Sequence, residues 1–462
     1  MASTYLTRTP SSTGNRRKFT FSAWVKFKFN QLANNSRIFS CGSATSAWVS
    51  AYINSNATLQ LAIVEGGNTY DILTNRLFRD ENAWYHLVFV VDTGNATADN
   101  RLRMYVNGEE ETSFSQRNNP TQDLDTQANT ASKPIDIGSA ENVGYSPRYF
   151  PGIMSHVHMT DGYVYSASDF GSTDTVTGEW KINTGPNVNY GTNGFFILKD
   201  GNSVTDQSGN SNNFTVGGGT LTKSEDNPSN VFAVFNGLSN ADATLTNGNT
   251  SCLTNSGSYA DRPVMTSLGM TKGKYYCEIK AGTVNTGATW EYGIVGITGR
   301  PLQYVTGSEQ YQHLGSLTQH FGYYAYNGHL LNNSGSANTD TAYGNSWTTN
   351  DIIGIAVDID NSKLYFSKNG VWQDSGDPTS GATGTGAISI DAVSSTIMGA
   401  YFFAVGAYHY TPRYNFHANF GNGYFATTAV SSAGTNASNI GIFEYDVPAG
   451  FTALSTKGIN SF

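Results

Sequence analysis

Two carboxylates on one face of a strand could cleave a glycosidic bond, so acidic pairs are the first chemistry to look for. A retaining glycosidase holds its two carboxyls about 5–5.5 Å apart. Residues i, i+2 and i+4 of a strand share a face, which makes Glu-x-Asp-x-x-Glu the informative run; it does not occur. The nearest pairs are Asp358-Ile359-Asp360, at a turn between two expected strands, and Glu109-Glu110-Glu111, beside the Asn107-Gly108 turn. The first reads as turn carboxylates bonding their own backbone, the second as a solvated strand end. No Gly-x-Ser-x-Gly elbow is present. Gly269-Met270-Thr271-Lys272-Gly273-Lys274-Tyr275 misses a phosphate loop by one residue and puts Tyr275 where a small hydroxyl is needed. Cys277 sits in a core-like strand pattern, which favours burial over reactivity. His156-x-His158 places two imidazoles on one strand face, but spacing supplies no third metal ligand. Asp161, Asp200 and Asp206 lie in polar loops whose oxygens suit calcium, again with no fixed ligand spacing. The expectation is a chain with no enzyme activity, no metal and no cofactor.

Binding chemistry is better represented. A sugar has an apolar CH face and a rim of hydroxyls, so its sites pair aromatic rings with polar loop side chains. Tyr324, Tyr326 and His329 lie near one expected turn, beside Tyr323. Tyr408, His409, Tyr410 and Arg413 lie near another. These seven residues form the candidate patch, although alternating tyrosines in strands are also ordinary packing residues.

The elements that must position such loops follow from composition and pattern. The chain has 462 residues, long for one β-sandwich and right for two domains. Charged residues make up 13%, roughly half the usual share, while Gly (50), Tyr (27) and Phe (25) are abundant. Such a polar, uncharged, aromatic chain makes many short strands and tight turns. With 38% hydrophobic residues it can fill a core and is not a disordered polyelectrolyte. A net charge of −9, with Arg16-Arg17-Lys18 as the densest basic group, argues against nucleic acid. No apolar run approaches membrane-spanning length, and the first residues lack an apolar leader core, so neither membrane insertion nor a secretory signal is expected. Three cysteines, Cys41, Cys252 and Cys277, cannot build a disulfide framework.

Hydrophobicity alternates with period two almost throughout. Phe19, Phe21, Ala23, Val25 and Phe27 define one buried face, with Trp24 on the other; Leu59, Leu61 and Ile63 repeat the pattern. Trp84 to Val91, Leu102 to Val106 and Gly152 to Met159 complete a first strand-rich block. A second runs from Lys274 to Gly421 through Ile352 to Asp358 and a hairpin at Asn369-Gly370. The resulting expectation is an all-β chain of two antiparallel sandwiches, 1–182 and 263–462, joined by a polar linking region, 183–262, that holds a few short strands.

Particular runs resemble known families. Phe21-Ser22-Ala23-Trp24-Val25-Lys26, Trp84-Tyr85-His86-Leu87-Val88, Leu102 to Gly108 and Gly152 to Val157 resemble the concanavalin A-like, laminin-G jelly roll. Gly273 to Ile279, Tyr292 to Ile297, Asp351 to Asp358, Leu364 to Trp372 and Asn419-Phe420-Gly421 resemble a SPRY domain. The pairing, with Tyr5-Leu6-Thr7-Arg8-Thr9-Pro10, Gly14 to Arg17, Ser168 to Gly171, Tyr190 to Phe195 and Val447 to Thr456, is similar to virion appendage proteins of marine, cyanophage-type bacteriophages. That resemblance implies a structural protein on the external surface of the particle, made in the host cytoplasm. It would be a capsid knob or decoration whose main partner is the major capsid protein. The alternative is a receptor-binding tail fibre or tip component that recognises host polysaccharide. In SPRY-like folds the loops at one end form the partner surface, which implies the same role for the Tyr324 and Tyr408 loops.

Overall fold

The computed structural model describes residues 3–28, 31–32, 35–144, 148–199, 201, 203–239, 243–254, 263–283, 292–300, 313–333, 338–408 and 414–462. The chain is all-β and divides into two compact units, Met1–Lys223 and Ser224–Phe462. No described helix is long and apolar enough to cross a membrane.

The first unit is a pair of antiparallel sheets. One has eight strands, running in space from Phe114–Asn118 through Asn68–Leu77, Thr58–Glu65, Ala47–Ile53, Ser36–Ala44, Ile135–Ile137 and Tyr5–Arg8 to Thr215–Gly218. The other has six: Phe195–Ile197, Gly152–Asp161, Lys18–Phe27, Tyr85–Asp92, Leu102–Val106 and Glu109–Glu110. Alternation explains the core. Phe19, Phe21, Val25, Leu61 and Phe89 all point inward and are fully buried. Phe21 of the six-stranded sheet stacks on Phe39 of the eight-stranded one at 4.2 Å between ring centroids.

The sequence reading of Lys18–Phe27 needs one correction: both of its faces are buried, and Trp24 is only 5% exposed. The reason lies next door, where Tyr85–Asp92 carries Val88 and Val90 on its outer face. A strand apolar on both faces must be covered twice. The chain supplies the cover itself, laying Ala167, Phe170 and Trp180 over Val88, Val90 and Tyr105. Trp180 belongs to a small hairpin, Gly171–Thr173 paired with Trp180–Ile182.

The second unit repeats the plan. Its larger sheet centres on Lys274–Ala281, flanked by Asn415–Asn419 and Ile352–Asp358, then Lys363–Lys368. The smaller sheet runs Val264–Met265, Phe402–Tyr408, Tyr292–Thr298, His320–Tyr324, His329–Asn333 and Asn338–Ala342. Outward-facing Tyr276, Ala356 and Tyr365 of the larger sheet are covered by Phe232, Phe443, Val447 and Phe451. Both Asn-Gly turns hold positive φ, Asn107 at 48° with Gly108 at 91° and Asn369 at 50° with Gly370 at 81°. That backbone matches the twist of a two-residue hairpin.

The polar stretch 183–262 is shared out between the units. Phe195–Ile197 pairs with Gly152–Asp161, and Thr215–Gly218 pairs with Tyr5–Arg8. Thr244–Thr246 and Ser251–Leu253 extend the larger sheet of the second unit. Short edge strands with so few apolar residues find their sheets only through backbone pairing, which sequence pattern does not reveal.

Candidate binding site

The candidate catalytic groups are occupied elsewhere. Asp358 is buried, 2.9 Å from the Lys274 ammonium, and accepts the Asn361 N–H. Asp360 accepts the Gly273 N–H at 2.8 Å. Glu109 and Glu110 are exposed strand residues, but Glu111 is buried and pairs with Arg76 at 2.7 Å, so the trio is not uniformly solvated. Cys41, Cys252 and Cys277 are free thiols in the interior, and burial pushes the Cys277 thiol well above its usual range. His156 sits at φ 48° in a bulge, and both it and His158 pack on the Phe196 ring. His158 Nδ1 lies 2.9 Å from the Tyr190 hydroxyl. Asp161 accepts the Asn15 and Asn193 N–H groups. Asp200 lies outside the described residues.

The seven-residue aromatic patch is placed in part. Tyr324, the last residue of its strand, is 6% exposed and packs with Met265, Ile294, Leu314 and Leu331. Tyr326 is 41% exposed, its ring 6.1 Å from that of Tyr324, and His329 is half-buried. Tyr408 ends the strand Phe402–Tyr408; His409, Tyr410 and Arg413 lie outside the described residues. Register relates the two loops. Ile294 pairs with Tyr324 on one side and Gly406 on the other, and Tyr292 pairs with Tyr408. The chain therefore leaves Tyr324 and Tyr408 at the same end of the sheet, with one strand between them and about 10 Å apart.

A second aromatic and amide cluster, on the first unit, was not singled out from the sequence. A groove of about 520 Å³ is lined by Tyr165, Asn187, Val188, Asn189, Tyr190, Ser208 and Asn210. Three pieces of chain far apart in sequence build it, and each is fixed by its own hydrogen bonds. Asp206 is the post for one piece. Its carboxylate accepts the N–H groups of Phe196, Ser208 and Asn212 and the Ser208 hydroxyl, all at 2.8–2.9 Å. Asn210 then reaches across, donating its amide to the Gly191 and Gly194 carbonyls at 2.7 and 3.0 Å. Asn189 ties the second piece to the third: its N–H donates to the Tyr165 hydroxyl at 2.7 Å and its side chain to the Tyr163 hydroxyl at 2.9 Å. The Tyr163 and Tyr165 rings stack at 6.4 Å, and Tyr163 is 40% exposed. Burial holds His158 well below the usual histidine range, so it is neutral; its Nδ1 faces Tyr190, whose phenol burial pushes up. The Tyr190 hydroxyl therefore donates inward.

Beneath the cover of the six-stranded sheet lies a dry stack. The His86 ring is stacked on Trp24 at 4.9 Å and on Trp180 at 5.9 Å. The Trp180 indole N–H donates to His86 Nδ1 at 3.0 Å, and Ser22 Oγ lies 2.9 Å from Nε2. Nδ1 must therefore be bare and Nε2 protonated. Burial pushes the His86 pKa down to about 3, so the ring is neutral at ordinary pH. This histidine holds the cover in place rather than facing a ligand.

Comparison with known proteins agrees with this architecture. The Laminin_G_3 model, described as the concanavalin A-like lectin/glucanases superfamily, matches residues 2–169. The SPRY domain model matches residues 274–389. No curated protein matches the chain. Among solved structures, a native heptameric SAP-like pentraxin from Limulus polyphemus is 19% identical with a TM-score of 0.30, over 47% of this chain and 90% of that one. The SPRY domain of human HERC1 is 16% identical with a TM-score of 0.28, over 40% of this chain and 96% of that one. Domain 4 of a GH43 extracellular arabinanase from Geobacillus stearothermophilus, in complex with arabinotriose, is 23% identical with a TM-score of 0.26, over 34% and 67%. The chain thus carries a concanavalin A-like domain followed by a SPRY domain, a lectin-like pairing that suggests a binding function and indicates no catalytic family.

Proposed function

We propose that this chain is a non-catalytic recognition protein displayed on the outside of a phage particle, a knob or decoration that presents binding loops. One observation carries the non-catalytic part. The outer face of the central sheet in each unit is covered by the chain's own Phe170 and Trp180, or Phe443 and Phe451, and the nearest carboxylate pairs are engaged in structural bonds. What remains open to a partner is loops and the shallow groove. The particle location is supported by the resemblance of Tyr5 to Pro10, Tyr190 to Phe195 and Val447 to Thr456 to phage virion segments. In this reading the major capsid protein is the attachment partner, and the Tyr324 and Tyr408 loops are one display surface. The test is co-sedimentation of the purified protein with isolated capsids and, separately, with isolated tails. Saturable binding to capsids alone is the expected result; binding to neither would overturn the particle assignment.

A second reading, a tail component that recognises host polysaccharide, is favoured by the groove of tyrosines and asparagines and by the lectin character of the matched superfamily. Binding to tails alone in the same experiment would select it.

A further inference from the structure

The groove on the first unit has a specific ligand chemistry written into its lining. None of its seven lining residues is charged. The nearest carboxylate, Asp206, is buried and has its oxygens engaged by four donors. A groove with no free charge offers nothing to a phosphate, sulfate or uronate, whose desolvation requires a partner cation. What it offers instead is uncommitted neutral hydrogen bonding. Tyr163 and Tyr165 accept hydrogen bonds from Asn189, which leaves both phenol protons free to donate outward. Asn187 is exposed and has no hydrogen-bond partner among the described residues. The Asn210 amide N–H groups are spent on Gly191 and Gly194, which leaves its carbonyl oxygen as an acceptor. The rings of Tyr163, Tyr165 and Tyr190 supply an apolar surface among these groups.

We propose that this groove binds a neutral saccharide, a hexose or pentose unit of an uncharged polysaccharide. Its CH face packs on the tyrosine rings, while its hydroxyls pair with the Tyr163 and Tyr165 hydroxyls, the Asn187 amide and the Asn210 carbonyl. A volume of about 520 Å³ falls in the range of small-ligand sites. The site is built in advance: the Asp206 carboxylate sets one wall and the Asn189 bonds to Tyr163 and Tyr165 set the other, so little is spent on ordering it when the sugar arrives. Asn187 to Asn210 lie beyond the stretch matched by the concanavalin A-like model, so this groove belongs to the chain's own extension of that domain.

The inference rests on the polysaccharide-recognition reading above, and the experiment separates the two. The full chain is applied to an array of neutral glucans, mannans and galactans beside uronate- and sulfate-bearing polymers. Tyr163→Ala and Asn187→Ala, both at exposed positions, test the groove; Tyr165→Phe removes one donor and keeps the ring. Tyr326→Ala tests the loops of the second unit, and each variant is first checked for wild-type thermal unfolding. The expected result is binding to a neutral polymer that does not weaken as salt is raised. It should fall at least tenfold in Tyr163→Ala and Asn187→Ala, fall less in Tyr165→Phe, and persist in Tyr326→Ala. Binding lost only in Tyr326→Ala overturns this site while leaving polysaccharide recognition standing. Binding confined to charged polymers overturns the neutral-ligand chemistry. No binding by the wild-type chain overturns both the site and the reading on which it rests.

Discussion

Glu278 is the group whose perturbation reads most directly on the fold. It lies on the central strand Lys274–Ala281 of the larger sheet in the second unit, fully buried. Its carboxylate accepts the N–H groups of Tyr445 and Glu444 at 2.8 and 2.9 Å, the Tyr276 hydroxyl at 3.1 Å and the Asn419 amide at 3.2 Å. Two of these donors belong to the segment whose Phe443 and Val447 cover Tyr276 and Tyr365, so Glu278 is the peg that holds the cover. Burial pushes its carboxyl up to about 7 despite the four donors, which pull the other way. An acid whose folded pKa is raised is better tolerated protonated. Its contribution is therefore best at low pH and worsens as pH rises from the unfolded value of 4.5 through about 7. That displacement corresponds to about 3 kcal/mol lost between pH 4 and pH 8.

Glu278→Gln removes the titration and keeps the shape. Its amide faces one N–H donor, which costs about 1–2 kcal/mol at low pH. At pH 8 the wild type has paid about 3 kcal/mol for its charge, so the variant should match or exceed it in stability. Burial also lowers the pKa values of His313, His320 and His417 in the same unit, which gives the opposite slope. The quantity to follow is therefore the difference between wild type and variant, in which those histidines cancel. Hydrogen exchange of peptides from the second unit, at pH 4 to 8, measures it without interference from the first unit. The expected difference drifts by about 3 kcal/mol in favour of Glu278→Gln as pH rises. A difference that stays flat would refute the buried, proton-binding carboxyl, and a drift of opposite sign would show that the four donors outweigh burial.

Other outcomes concern the cover of the first unit. Trp180→Ala removes the stack on His86, its hydrogen bond and the lid over Val88 and Val90, and should cost about 3–5 kcal/mol in thermal unfolding; a loss under 1 kcal/mol would mean the hairpin is not a structural cover. Gly108→Ala should be destabilising by more than about 1 kcal/mol, because a Cβ there would lie 2.4 Å from the Trp180 ring at φ 91°; wild-type stability by thermal unfolding would show that Trp180 readily moves aside. The depressed His86 pKa, about 3 against 6.5, makes stability of the first unit fully present above pH 6.5 and progressively lost below it. At pH 5 that loss is about 2 kcal/mol, and hydrogen exchange of the Tyr85–Asp92 strand that is equally protected at pH 5 and pH 7 would contradict it.

Much of this fold was legible before any coordinates, because strand alternation and turn chemistry are local. Phe19, Phe21 and Val25 had to face one way, and Asn107-Gly108 and Asn369-Gly370 had to reverse the chain, whatever lay around them. The two domain types were likewise carried by contiguous runs of residues. Long-range placement was not legible. Alternation predicted an open outer face beside Trp24, and only the folded chain shows Trp180, more than a hundred and fifty residues later, closing it. The polar residues from 183 onward carry almost no periodic signal, yet their backbone pairs with strands at both ends of the first unit. The groove shows the limit most clearly. Tyr163, Asn187 and Asn210 are unremarkable in sequence; a carboxylate post at Asp206 and the hydrogen bonds of Asn189 bring them together. Secondary structure follows from neighbours along the chain, which the sequence states outright. A binding surface follows from neighbours across space, which hydrogen-bond geometry and packing decide only after the chain has closed on itself.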